Sequence, residues 1–398
     1  MRESERERCC VVVFFVSICG CLPTGTPAPG AGVREAEKRV ARAVRTIRAV
    51  YGEVSRQESA SGPPCFSVVL SECGLGEEKQ RVLSSLKVLG SVRSLELSRT
   101  DIEDADVDVL LELRELQVLD VSSTRLTDRG VSRLRGLKSL EELRIGSLPI
   151  TSAAFGGWGE WRSLRVLDLT GVAVHREELR ALSRVPGLRG LIMVCNNTRD
   201  ADAAELGRLR RLRRLELHSI CITDDGVAKL ADLTELRTLR LISLNGVGDR
   251  GVKAITRMVH LEHLSLRGVP ITDASAGVIS GLARLKTLDL CRTRITDQTA
   301  ASIAKLGSLR QLSLEGTRIT DRAIERLSKG MRMLVDLNIR FTQVSDEACG
   351  YLAALPALTR VDARNTKMTA HAARALQRTR PGMTVRPSLT TQRRQHSR

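Results

Sequence analysis

From Val92 onward the apolar residues fall into one recurring phrase: apolar, two residues, apolar, one residue, apolar. It starts at Val92, Leu116, Leu140, Leu164, Leu188, Leu212, Leu236, Leu261, Leu285, Leu309, Leu334 and Leu358, and nine of the eleven steps are 24 residues, the other two 25. A fixed period in the twenties marks a solenoid, in which each unit buries its apolar face against its neighbours.

One unit shows what the pattern encodes. Leu119 and Val121 alternate with polar residues, the period of a half-buried strand. Leu126 follows, then Thr127-Asp128, then Leu134 and Leu137 on one helical face. A Thr-Asp step before an apolar-periodic stretch reads as a helix N-cap, whose side-chain oxygen accepts a free first-turn N–H. The equivalents of Asp128 are Asp104, Asp200, Asp224, Asp249, Asp273, Asp297, Asp321 and Asp346, all expected to cap helices. Each unit is therefore strand, loop, short helix and return. Equivalent strands must lie side by side at about 4.8 Å, so the fold class is α/β: a curved rod with parallel strands on its concave face and short helices on its convex face.

The phrase Leu-x-x-Thr-x-Ile-Thr-Asp stands intact at 290–297 and again at 314–321. It resembles the leucine-rich repeat of the helix-bearing kind, related to ribonuclease-inhibitor-like folds. It is similar to the repeat of planctomycete-type bacterial proteins and of F-box-associated and effector repeat proteins. The resemblance covers residues 34–386. It implies a leucine-rich repeat solenoid and is uninformative about the ligand. Where that family places an inward Asn, this chain has Thr100, Thr124, Thr293, Thr317, Thr342 and Thr366, whose hydroxyls can do part of the same work. The middle units carry Leu148, Val172, Ile220, Leu244 and Val269 there instead. Pro149, Gly156, Gly157 and Gly159 make the unit after Leu140 a poor helix former, so the least regular geometry is expected there.

The ends need covers. Val40, Ala43, Val44, Ile47 and Val50 keep helical spacing, with Gly52 as C-cap, giving a helical N-terminal cap over residues 34–64. Cys65 then takes the register of Val92, which makes a thirteenth strand and opens a repeat domain over 65–386. Beyond Pro381-Gly382, residues 383–385 are placed to close the sheet, and 387–398 form a basic disordered tail. Trp158 and Trp161 stand where Leu134 and Leu137 stand one unit earlier, which makes them core residues rather than a binding box.

Composition bounds the function. The chain of 398 residues has Lys plus Arg 63 and Asp plus Glu 46, a net charge of +17. This raises a polyanion reading, centred on an edge made of Arg165, Arg189, Arg213 and Arg237 in equivalent register with Arg210 and Arg211 beside them. Arg208 and Arg214 belong to the same run. Acidic residues interleaved on the strand face, and aromatics at only 2%, weigh against nucleic acid, whose single-stranded forms are commonly held by stacking platforms. The ten cysteines give no disulfide framework and no zinc spacing; Cys65–Cys73 and Cys195–Cys221 are the pairs to check. The six histidines form no metal or catalytic motif, so no cofactor, no metal and no catalytic residue is expected, and the chain is not read as an enzyme.

Two features remain. Arg2, Arg6 and Arg8 precede an apolar run over 9–20, ending Ile18-Cys19-Gly20-Cys21 like a bacterial lipobox. Residues 1–21 therefore read as a signal or lipoprotein-like segment with Cys21 as lipid acceptor, and 22–33 as a flexible linker. That address is the cell envelope or the exterior; a cytoplasmic adaptor is the alternative. On the strand face Ile192, Val194 and Ile242 form an exposed apolar patch near His218, rimmed by Arg214, Glu216 and Arg240. The expectation is a monomeric, non-catalytic scaffold that binds a protein ligand there.

Overall fold

In a computed structural model of the chain, the structure describes residues 31–58 and 64–387. The signal-like segment, Cys21 and most of the expected linker and basic tail lie outside them. The chain divides into two compact units, residues 1–42 and 43–398. Of the first, only the opening of helix α1 (Ala31–Ala49) is described, so residues 31–33 of the expected linker are helical.

The second unit holds one sheet of fifteen strands in strict sequence order. These are β1 (Glu53–Gln57), β2 (Cys65–Val69), β3 (Val92–Glu96), β4 (Val118–Asp120), β5 (Glu142–Arg144), β6 (Val166–Asp168), β7 (Gly190–Val194) and β8 (Arg214–His218). Then follow β9 (Thr238–Ile242), β10 (His263–Ser265), β11 (Thr287–Asp289), β12 (Gln311–Ser313), β13 (Asp336–Asn338), β14 (Arg360–Ala363) and β15 (Thr384–Pro387). From β2 on, every pairing is parallel and joins consecutive strands through a helical segment on the other face. The phrase leucines of strand and helix interdigitate as a dry core: Leu119, Leu143, Leu167, Leu191, Leu215, Leu239 and their equivalents are 0–2% exposed. This is an α/β leucine-rich repeat solenoid.

The start of the sheet departs from expectation. The sequence pattern gave thirteen strands and a further closing segment; the structure adds β1, which pairs antiparallel with β2, Gln57 opposite Cys65. This strand lies inside the stretch expected to be only a helical cap. It escaped the periodicity because four of its five residues are exposed and polar. The register of β2 also differs, since Phe66 rather than Cys65 lies opposite Val92, and an irregularity restores the expected offset at Val68 and Leu95. Helix α1 ends at Ala49, and Tyr51, not the expected cap Gly52, takes the left-handed conformation (φ 62°). Gly52 serves close approach instead, because a Cβ there would collide with Leu70 and Ile47.

The unit after Leu140 has only short 3₁₀ turns at Ser152–Phe155 and Trp158–Glu160 where its neighbours have α-helix. Aromatic rings fill the space: Phe155 stacks on Trp158 at 5.0 Å, Trp161 leans on Trp158 at 5.7 Å, and Trp158 Nε1 donates to Ala154 O at 2.7 Å. Among the described residues no helix is long and apolar enough to cross a membrane.

Candidate functional site on the strand face

The inward threonines act as expected. Each hydroxyl of Thr100, Thr124, Thr293, Thr317, Thr342 and Thr366 donates to the carbonyl three residues back, at 2.6–2.7 Å. The inward Asn itself occurs once, at Asn196, donating to Leu169 O and Val172 O.

The aspartates do something other than cap their own helices. The cap is the Thr, whose Oγ1 accepts from the N–H two residues on. The Asp that follows reaches into the next unit. Asp297 accepts both the N–H and the hydroxyl of Thr320, each at 2.7 Å, and Asp321 does the same for Ser345 at 2.8 and 2.7 Å. Asp273 holds Thr296 and also Thr299. Burial opposes the ionisation of Asp249 and Asp273, but the converging hydroxyls and N–H groups outweigh it and hold both pKa values low. At the third helical position Gly130 and Gly226 leave room for Asp104 and Asp200, which a Cβ there would strike, while Thr299 and Ser275 at the equivalent position donate their hydroxyls to Asp273 and Asp249.

This ladder is interrupted between Thr151 and Arg199, and the strand face changes beside the gap. In regular units Asp120, Asp168, Asp289, Asn338 or Asp362 accepts the N–H two residues on, which turns the chain out of the sheet. At the same place β7, β8 and β9 carry Ile192, Glu216 and Arg240, and each of these strands runs on to five residues. Two rows result. Asp168, Ile192, Glu216, Arg240 and Ser265 lie side by side; beyond them lie Val194, His218 and Ile242.

The structure thus brings together all seven expected partner-binding residues, with two corrections. Ile192, Val194 and Ile242 are half-buried rather than exposed, Val194 and Ile242 lying on either side of His218. Glu216 is no rim residue: it is 4% exposed, at the centre. Its Oε1 accepts Arg214 Nε at 2.7 Å, with Arg214 Nη2 also at 2.7 Å, while Oε2 faces His218 Nε2 at 3.5 Å and Arg240 Nη1 at 3.6 Å. Burial raises the pKa of Glu216, but His218 and the two guanidiniums overcome it and bring it to about 2. One buried anion therefore holds Arg214 by a hydrogen bond and draws Arg240 and His218 toward it beside an apolar floor.

A sequence reading also missed the turn that aims these residues. The residue one to three places past the strand end is left-handed in every repeat unit: Arg99, Ser123, Ser147, Cys195, Ser219, Ser243, Arg292, Phe341 and Asn365 have φ of 49–59°, and Gly171, Gly268 and Gly316 share the position. A signal was present, in the serines and glycines recurring at one register.

The arginine edge is real as backbone geometry. Arg189 N donates to Arg165 O at 2.7 Å, Arg213 N to Arg189 O at 2.6 Å, and Arg237 N to Arg213 O at 2.8 Å. Its outer members are neutralised, Arg165 by Glu141 at 3.6 Å and Arg237 by Glu262 at 3.5 Å. Cys65, Cys73, Cys195 and Cys221 are all free thiols. Among the described residues no three His, Cys, Asp or Glu side chains gather as a metal site would require.

Comparison with known proteins agrees with this architecture. Leucine-rich repeat family models match residues 259–319 and 113–134. An internalin from Listeria monocytogenes is similar in structure, with TM-score 0.56 and 21% identity, covering 81% of this chain and 86% of its own. A leucine-rich repeat protein of Leptospira interrogans aligns over 76% of this chain and 85% of its own, at 16% identity and TM-score 0.47. No curated protein sequence matches the chain. Period, sheet and matched repeats define the class: this is a leucine-rich repeat protein.

Proposed function

We propose that the protein is a non-catalytic scaffold that binds a protein partner on the strand face at β7–β9 and is held at the cell envelope through a lipid on Cys21. Repeat solenoids use such extended strand faces for binding, because side chains there vary without disturbing the core. The observation that carries the reading is Glu216. A buried carboxylate that holds Arg214 and draws in Arg240 beside Ile192, Val194 and Ile242 supplies an apolar anchor point within preset polar groups, the composition of interface hot spots. The anchor favours a partner presenting an apolar side chain next to a carboxylate, which the two guanidiniums would receive. The lipobox-like order Ile18-Cys19-Gly20-Cys21 after an apolar run supports the envelope address.

Two measurements test it. Immobilised protein is compared with Ile192→Asp for capture of envelope-fraction proteins, alongside thermal melting. Lost capture with an unchanged melting temperature is the expected outcome; equal capture by the variant rejects the site. Mass spectrometry of the mature N-terminus is expected to find a diacylglyceryl group on Cys21, and an intact Met1 rejects the tether.

A further inference from the structure

We infer a second binding site, separate from the strand face: a groove between two successive helix-to-strand returns that takes a compact anion bearing several phosphate groups. Its walls are residues 183–188 and 208–211, with Val185, Pro186, Leu188 and Leu209 as floor and Arg184, Arg208, Arg210 and Arg211 around them. Arg189 and Arg213 stand next to it in the backbone ladder.

The local charge is only partly compensated. Glu205 already serves Arg180 and Arg208, at 3.1 and 2.8 Å. Asp232 already serves Arg210 and Arg257, both at 3.0 Å. No carboxylate of the described residues pairs with Arg184, Arg189, Arg211 or Arg213, and two of these guanidiniums rest only on main-chain oxygens: Arg211 on Pro186 O and Arg189 on Leu188 O. The crowding registers in Arg189, whose pKa is lowered by burial and by the charges of Arg213, Arg211 and Arg165. Guanidinium forks suit phosphate oxygens, which they can hold in pairs.

The surroundings set the ligand's size and kind. Along the edge the free cations stop where Glu141 and Glu262 neutralise Arg165 and Arg237, so the unpaired stretch spans two units, about 5 Å apart. A long polymer would need a longer run. No aromatic side chain lines the groove, which leaves no stacking surface for a base. A pyrophosphate or tripolyphosphate group fits both limits, either free or as the head of a lipid.

The test uses the full chain at low ionic strength, titrated calorimetrically with sodium tripolyphosphate. Saturable one-to-one binding is expected. It should weaken by about tenfold or more in Arg211→Gln/Arg213→Gln, in line with charge-assisted hydrogen bonds lost. It should be unchanged in Arg294→Gln/Arg318→Gln, which removes equal charge elsewhere. Equal weakening in both variants, or no saturable binding, overturns the site. Flotation with phosphatidylcholine vesicles carrying diacylglycerol pyrophosphate, a lipid with a diphosphate head, separates the two sources. Vesicle binding lost only in the groove variant supports the site and assigns a lipid head; vesicle binding that ignores both variants overturns the lipid source and leaves the free anion. An oligothymidine that binds more tightly than tripolyphosphate through the same arginines overturns the compact-anion class.

Discussion

The repeats from Leu261 to Leu376 and those from Leu140 to Ile222 share one period and are held together differently. In the C-terminal run, Asp249, Asp273, Asp297, Asp321 and Asp346 each bind the cap residue of the following unit, so every interface carries the same hydrogen-bonded clasp. In the middle, the acid folds back on its own unit: Glu178 accepts His175 N–H at 2.8 Å and Asp202 accepts Arg199 N–H at 3.0 Å. Between units, Asn197 spans to Val174 N and to His175, and aromatic packing replaces the helix. Since a solenoid's stability is the sum of unit and nearest-neighbour terms, the clasp belongs to the neighbour term and the fold-back acid to the unit term. The stretch between Thr151 and Arg199, which lacks the clasp, also adjoins the five-residue strands β7–β9 and the buried Glu216. Regularity serves the scaffold; the departure from it coincides with the candidate site.

Four experiments sharpen or break that contrast. The largest effect is expected for Trp158→Ala, which empties the ring stack that substitutes for a helix: about 3–5 kcal/mol lost in denaturant unfolding. A loss under about 1 kcal/mol would mean the middle is not held by packing. Next, Asp273→Ala leaves Thr296 and Thr299 without their acceptor and should cost about 2–3 kcal/mol. Hydrogen exchange should quicken first in residues 285–320; a uniform change along the chain would contradict a clasp between neighbours.

Third, Glu216 makes stability depend on acid. Its folded pKa of about 2 lies below the ordinary carboxylate value, so its contribution is full above about pH 4.5 and is lost as pH falls toward 2. Glu216→Gln should cost about 2 kcal/mol at neutral pH and flatten the stability curve over that window. An unaltered acid limb in the variant would remove Glu216 from its cause. The smallest effect tests what both regions share. At left-handed Ser219, a Val should cost about 1–2 kcal/mol and a Gly well under 1 kcal/mol, by thermal melting; equal costs would deny strain at the turn.

Much of this molecule was legible in the chain. Leu95, Leu119 and their successors repeat at 24 residues, and such a period has one way to bury its apolar face, which gives parallel strands, helices behind them and a core containing Trp158 and Trp161. The seven residues of the candidate site could be gathered from register alone, because period fixes which side chains lie side by side. Their depth could not. Glu216 is polar in the sequence, and only the extension of β7 and β9 past the usual turn buries it. The aspartates misled for a related reason: Thr-Asp before a helix satisfies the rule for a cap within its own unit, while the partner that wins stands 23 residues away, in range only once the units stack. Strand β1 carries no apolar alternation and exists through its pairing with β2.

The sequence by itself determined the repeat, its register from Val92 onward and the apolar core positions of the repeated phrase, since these follow from local spacing and the aversion of apolar groups to water. Tertiary structure decided which polar group meets which: the clasp between units, the buried anion under Arg214 and Arg240, and the arginines left without carboxylates. Hydrogen bonds and ion pairs are directional and short-ranged, so their partners are settled by stacking rather than by order along the chain.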